Sequence, residues 1–181
     1  MSHFTELITH RRSIRKYTEE SLQACDVEQI MKAALMSPSS KHSNPWQFIL
    51  VENKETLKKL AGCKSSGCGF IENCALAIVV LTDPMQSGAF VEDASIVATY
   101  IQLQAEDLGL GSCWVQIRGR ETETGQDSED FIRQLLNIPL QMCIVCIIAV
   151  GHKEKPGKSH REEDLQWEKI HIETYRYDDQ A

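Results

Sequence analysis

Residues 92–116 read EDASIVATYIQLQAEDLGLGSCWVQ. Ala94, Val97, Ala98, Ile101, Ala105 and Leu108 recur at helical spacing, and Ile96 and Leu103 add apolar surface on another side. A helix apolar on several sides is usually buried at the centre of a fold. Gly109 and Gly111 end it, because glycine accepts the left-handed backbone that closes a helix. A strand over Cys113 to Ile117 follows at once. On that strand Ser112, Trp114 and Gln116 share one face, while Cys113, Val115 and Ile117 take the other. The first set suits either a ligand wall or a bland sheet surface, and the second suits a core.

Around this centre the elements alternate in type. Phe4, Leu7 and Ile8 mark a short amphipathic helix running into Arg11 and Arg12. Asp26 is placed to cap a second helix with the stripe Val27, Ile30, Met31, Ala34 and Leu35, ended by Ser37-Pro38. Gln47 to Val51 reads as a strand, Lys54 to Leu60 as a short helix, and Cys63 to Gly69 as a Gly/Ser loop. Leu76 to Leu81 and Met142 to Val150 are apolar, β-branched strands, and Asp127 or Ser128 can cap a helix through Leu136. After a polar stretch from Gly151 to Gln166, the alternation around Ile170 and Ile172 predicts a weak terminal strand. Mixed strands and helices along 181 residues without a linker predict one α+β (or α/β, three-layer) domain.

Composition narrows the function. Nineteen basic against 26 acidic residues give a net charge of −7, which argues against nucleic acid as a partner. Any anionic ligand must then be met by a local cationic cluster. The seven cysteines are odd in number and several lie in apolar runs, as expected of reduced thiols in the cytoplasm. The first residues lack the apolar core of a secretion signal, and the longest apolar run, Ile144 to Val150, is too short to span a membrane.

Several common sites are excluded. Gly62 and Gly67 have P-loop spacing, but Cys68-Gly69 follow instead of Lys-Ser or Lys-Thr. Gly67 and Gly69 begin a dinucleotide fingerprint that fails at Glu72. No G-x-S-x-G elbow or H-E-x-x-H helix occurs. Cys143 and Cys146 have C-x-x-C spacing, but they lie within a strand. Strict alternation puts them on opposite faces, so no metal is expected.

Four segments carry chemistry. Arg11, Arg12, Arg15 and Lys16, with Ser13 and Tyr17, form a cationic run. Guanidinium forks grip phosphate oxygens, though such a run alone is more often a solvated helix end. The loop Ser37 to Trp46 offers Ser39, Ser40, Lys41, His42, Ser43 and Asn44 between Pro38 and Pro45. It suits a polar heterocycle or a rigid connector. The strand around Trp114 is the third. The fourth is Gly151-His152-Lys153-Glu154-Lys155, beyond the last core strand, where open sheets collect ligands, although lysines there, taken alone, are more often simply exposed.

Together and in this order, these segments resemble the FMN-dependent nitroreductase family over nearly the whole chain. The matching motifs are Arg11-Arg12-Ser13-Ile14-Arg15-Lys16-Tyr17, Ser37 through Trp46, Gly109-Leu110-Gly111-Ser112-Cys113-Trp114, and Ala149-Val150-Gly151-His152. The resemblance implies a mostly antiparallel central sheet flanked by helices, in an intertwined homodimer with FMN at each of two inter-subunit clefts. Arg11, Ser13 and Arg15 would hold the phosphate and ribityl chain, Arg12 through its backbone. Pro38, Ser39 and Ser40, with His42 and Asn44 in the same loop, would come from the other subunit. Trp114, Val115 and Gln116 would lie along the ring, and Gly151, Lys153 and Lys155 would complete the phosphate end. Residues 160–181 would form an arm that wraps the partner.

The sequence departs from the family at His42, in place of Asn, at Asn44, in place of Gln, and at Tyr100, where Asn is common. These changes bear on the substrate side of the pocket. The implied activity is ping-pong reduction of nitroaromatic or quinone-like acceptors by NADH or NADPH. No side chain is expected to act as a catalytic acid, base or nucleophile, since the flavin carries the reaction. The alternatives are a dehydrogenase or deiodinase on the same fold, a flavin carrier without turnover, and a plain dimeric interaction module.

Overall fold

The computed structural model describes residues 3–175. Its elements are α1 (His3–His10), α2 (Ala24–Leu35), β1 (Trp46–Val51), α3 (Lys54–Leu60), β2 (Leu76–Thr82), α4 (Phe90–Asp107), β3 (Gly111–Gln116), α5 (Ser128–Leu136) and β4 (Cys143–Gly151). The strands form one antiparallel sheet in the order β1-β2-β4-β3. The protein is therefore α+β.

Both faces of the sheet are covered, which explains why β2 and β4 are apolar throughout although the sheet is antiparallel. On β2, Ala77, Val79 and Leu81 enter one core with Leu57, Leu60, Ile71 and Ile132. Leu76, Ile78 and Val80 enter the other, against Ile30 and Ala34 of α2 and Val97, Ala98 and Ile101 of α4. The central helix lies where its stripe puts it and starts at Phe90, two residues before the stretch quoted above. Gly109 takes φ +76° just past its end, and Asp127 caps α5 by accepting the N–H groups of Glu129 and Asp130.

Three expectations are corrected. Asp26 does not cap α2. The helix begins at Ala24 after Gln23, with no side-chain cap, and Asp26 sits inside the first turn. A carboxylate there still opposes the positive end of the helix dipole. Ile170 and Ile172 form no strand among the described residues: a short 3-10 turn at Trp167–Lys169 precedes them and both are exposed. A lone edge segment in one protomer has no ladder to join.

The third correction concerns Cys143 and Cys146. Val80 pairs with Cys146 but Leu81 with Ile144, so Val145 is an inserted, bulged residue. Val145 and Cys146 consequently face the same core, and parity fails within the C-x-x-C itself. The burial of Cys146, which is 0% exposed, is what isolates its thiol. All seven cysteines are free, and no cluster fit to hold a metal occurs among the described residues.

α1 buries none of its residues. Its Phe4 and Ile8, together with Leu35 and Met36 at the end of α2 and Ile96 and Tyr100 on α4, leave apolar side chains exposed on the helical side of the protomer. Leu165, Trp167, Ile170, Ile172 and Tyr175 continue this pattern along the chain end, at 47–76% exposure. Residues 176–181 of the expected arm lie outside the described residues. No helix among the described residues is long and apolar enough to cross a membrane.

Candidate functional site

The cationic run 11–16 is laid over the adjoining ends of β3 and β4. The Ile14 N–H donates to Ser112 O at 2.9 Å, Thr18 N–H to His152 O at 3.0 Å, and Glu154 N–H to Lys16 O at 3.2 Å. The Tyr17 hydroxyl bonds Ile14 O at 2.6 Å and Ala149 O at 3.2 Å. Burial pushes its phenol far above the ordinary range, so it remains a hydrogen-bond donor. This close approach requires glycine beneath it. A Cβ at Gly111 would fall 2.8 Å from Ile14 Cγ2, and one at Gly151 would fall 2.9 Å from Tyr17 Cδ1.

The run's cations differ in their partners. Arg12 turns toward the segment after β4, with Nη1 3.3 Å from His160 Nδ1. Lys153 is held by Glu106 of α4 at 2.6 Å, with side chains only 17% and 9% exposed. Arg15 lies 6.0 Å over the Phe70 ring. Among the described residues, neither Arg11, Arg15 nor Lys155 has a carboxylate partner. Beneath them burial pushes the Cys113 thiol up, while Arg15, Ser13 and Arg11 oppose that shift. Unpaired guanidinium groups in a chain of net charge −7 form a local positive field able to hold an anion.

The loop 37–45 is braced by bonds among its own residues and by a tether to the central helix. Ser39 Oγ donates to Asn44 Oδ1 at 2.8 Å and accepts the Asn44 N–H at 3.0 Å. Ser43 Oγ donates to Ser40 O at 2.8 Å. The Ser40 N–H donates to Asp93 Oδ1 at 2.7 Å, and Ser87 Oγ donates to Asp93 Oδ2 at 2.6 Å. Lys41, His42 and Asn44 all have positive φ, of 52°, 56° and 47°. Non-glycine residues hold that conformation at a cost of roughly 1 kcal/mol or more each. Among the described residues, the Asn44 amide NH₂, the His42 ring and the Ser40 hydroxyl donate or accept no further hydrogen bond and are open to a ligand.

On β3, Trp114 is half-buried and its Nε1 donates to Gln116 Oε1 at 3.1 Å. Gln116 donates in turn to Arg118 O at 2.9 Å. The Val115 side chain is in the core, so only its backbone faces outward.

The structure brings 11–16, Gly111, Gly151 and Lys153 together. It does not bring the loop 37–45 to them. That loop leads into Trp46, which pairs with Thr82, which pairs with Cys143 at the opposite end of β4 from Gly151. Eight strand steps separate those ends by about 26 Å. The central helix gives the same result. Asp93 holds the loop near its start and Glu106 holds Lys153 near its end, roughly 20 Å apart along the axis. Sequence reasoning missed both carboxylates. Asp93, 2% exposed beside Ala94 and Val97, is an acid within an apolar stripe, and that was its available signal.

Helices on both faces of an antiparallel sheet, with cations over the β3/β4 ends, define a class of anion-binding α+β protein. The Nitroreductase family model matches residues 8–67 and 63–152, and the chain belongs to that family. It is 33% identical over 181 residues to a candidate NADH dehydrogenase/NAD(P)H nitroreductase of Archaeoglobus fulgidus, covering 97% of this chain and 100% of that one. An FMN reductase [NAD(P)H] of Bacillus subtilis is 25% identical over 203 residues, covering 99% of this chain and 77% of the relative. A solved structure of an FMN-dependent nitroreductase from Clostridium difficile superposes with a TM-score of 0.91 at 40% identity, covering 93% of this chain and 98% of that one.

Proposed function

We propose that this chain is an FMN-dependent NAD(P)H oxidoreductase that acts as a homodimer in the cytoplasm. The observation that carries the reading is the pair of guanidinium groups, Arg11 and Arg15, without carboxylate partners among the described residues, over the glycine-floored ends of β3 and β4. These residues fit a phosphate-bearing cofactor. Arg11, Arg15 and Ser13 would hold the phosphate and ribityl chain, with Gly151 and Lys155 at the same end, Arg12 through its backbone, and Lys153 oriented by Glu106. Pro38, Ser39, Ser40, His42 and Asn44 would come from a second copy, and Trp114, the Val115 backbone and Gln116 would line the ring. When bound, FMN supplies two-electron hydride chemistry.

The division of the site supports the dimer. A two-fold axis across α4 sets the start of one helix beside the end of the other, so each cleft receives the arginines of one chain and the loop of its partner. The exposed apolar residues of α1, α2 and α4 would be covered by the same pairing, and residues 160–181 would wrap the partner as an arm. With no dinucleotide fingerprint in the chain, NADH or NADPH and the acceptor take turns in one opening. That gives ping-pong kinetics with nitroaromatic or quinone-like acceptors. The domain is single, spanning residues 1–181.

The test is an absorption spectrum of the purified protein with FMN, before and after each nicotinamide under nitrogen, followed by addition of a quinone. A yellow dimer that bleaches and then recolours is expected. A colourless monomer in excess FMN overturns the reading, and a yellow protein that neither nicotinamide bleaches leaves a flavin carrier instead.

A further inference from the structure

Asp93 is a buried carboxylate outside every motif that pointed to the cofactor. Its two oxygens accept from different segments, the Ser40 N–H at 2.7 Å and the Ser87 hydroxyl at 2.6 Å. Ser87 in turn accepts the Ala89 N–H at 3.1 Å, tying this point to the approach of α4. No Lys, Arg or His forms an ion pair with Asp93 among the described residues. A carboxylate this buried is costly unless hydrogen bonds and dipoles compensate it. Here two donors and the first turn of α4, whose free N–H groups carry positive potential, do so.

The segment it holds is strained in its middle and, among the described residues, anchored otherwise only at its ends, by Ser37 to Ala34 O and by the Asp83 N–H to Pro45 O. Lys41, His42 and Asn44 occupy left-handed backbone, a strained state that persists only where surroundings over-determine it. The internal bonds of the loop, Ser39 with Asn44 and Ser43 with Ser40, join its members to one another but not to the body of the fold. The Ser40–Asp93 bond ties the middle of the loop to the central helix.

We propose that Asp93 is a positioning residue for the flavin-ring half of the site. It fixes the loop 38–44 from beneath, so that His42, Asn44 and the Ser40 hydroxyl are presented to the cleft in one arrangement. The inference rests on the flavin reading above. It assigns the loop to the ring and ribityl end and leaves the phosphate end to Arg11 and Arg15. Loss of Asp93 therefore weakens FMN and riboflavin alike, because riboflavin has the ring and ribityl chain but no phosphate.

The experiment titrates FMN and riboflavin, by quenching of flavin fluorescence, into the wild-type chain and the D93N, S87A and R11A variants. It also measures the midpoint potential of the bound flavin. D93N is expected to raise both dissociation constants by about tenfold, the effect of one lost charged hydrogen bond, and S87A by less. The ratio of the two constants should not change, and the potential should shift. R11A should instead collapse that ratio toward one. Should D93N fail to fold, S87A, which lies outside the loop and removes only the bonds of one hydroxyl, to Asp93 and from the Ala89 N–H, makes the same comparison. Unchanged affinity and potential in a folded variant, or a loss confined to FMN, overturns the role of Asp93 while leaving the flavin reading intact. A wild-type chain that binds neither flavin overturns both.

Discussion

Replacing Gly111 with alanine tests how closely the cationic run sits on the sheet. The new Cβ would lie 2.8 Å from Ile14 Cγ2, 2.9 Å from Ile14 Cβ and 3.0 Å from Lys153 Cγ. The lysine stem can swing aside, but Ile14 cannot easily do so. Its side chain is buried, and its N–H is bonded to Ser112 O at 2.9 Å. Relief requires lifting the backbone between Arg11 and Arg15. Overpacking of this kind costs about 1–3 kcal/mol, or roughly 2–12 °C in melting temperature for a chain of this size. If half of that strain is relieved by displacing the arginines, FMN affinity falls by about two- to twelvefold. Gly88 is the control, since a Cβ there meets nothing within 4 Å. Thermal melts without ligand and FMN titrations of both variants measure the two effects. A G111A protein that melts and binds as the wild type does would refute the argument that contact with Ile14 positions the arginines.

R11A combined with R15A should abolish FMN retention through gel filtration, and full retention rules out the phosphate assignment. E106Q should weaken FMN binding and lower stability by about 1–3 kcal/mol, because Lys153 loses its charged partner at a largely buried position; denaturant midpoints near those of the wild type would show the pair to be idle. Burial raises the Cys74 thiol from its ordinary 9.0 to about 12. Its neutral form is favoured in the native state, so its contribution is complete below pH 9 and is lost as pH rises toward 12. Denaturant midpoints between pH 8 and 11 should fall less steeply for C74A than for wild type; parallel curves count against burial as the cause. Valine at both Cys143 and Cys146 should leave flavin content unchanged, whereas a metal lost along with the thiols would reveal a site there.

The layers were legible because periodicity is a local property. The stripe Ala94–Val97–Ala98–Ile101 and the apolar runs of β2 and β4 each report their own surroundings. Local signals missed whatever depends on a partner elsewhere in the chain. The bulge at Val145 exists because Ile144 and Cys146 pair with consecutive residues of β2, and nothing within the apolar run 142–150 marks it. Asp26 has the composition of a cap, but the helix starts two residues before it. Alternation at Ile170 and Ile172 was real, yet a strand needs a neighbour, and none pairs with this segment among the described residues. In the candidate site, the cationic run was readable from charge alone. Its support by Gly111, Gly151 and the Tyr17 hydroxyl became visible only in three dimensions, as did the tethers at Asp93 and Glu106.

The separation of the arginine run from the serine loop has a genetic consequence. Under the proposed two-fold pairing, a chain lacking Arg11 and Arg15 is defective in one component, and a chain with a ruined 38–44 loop is defective in the other. Each alone would assemble with both clefts spoiled. Co-expressed, mixed pairs would gather the two lesions into one cleft and leave its twin whole, so two inactive alleles would complement each other within a single heterodimer.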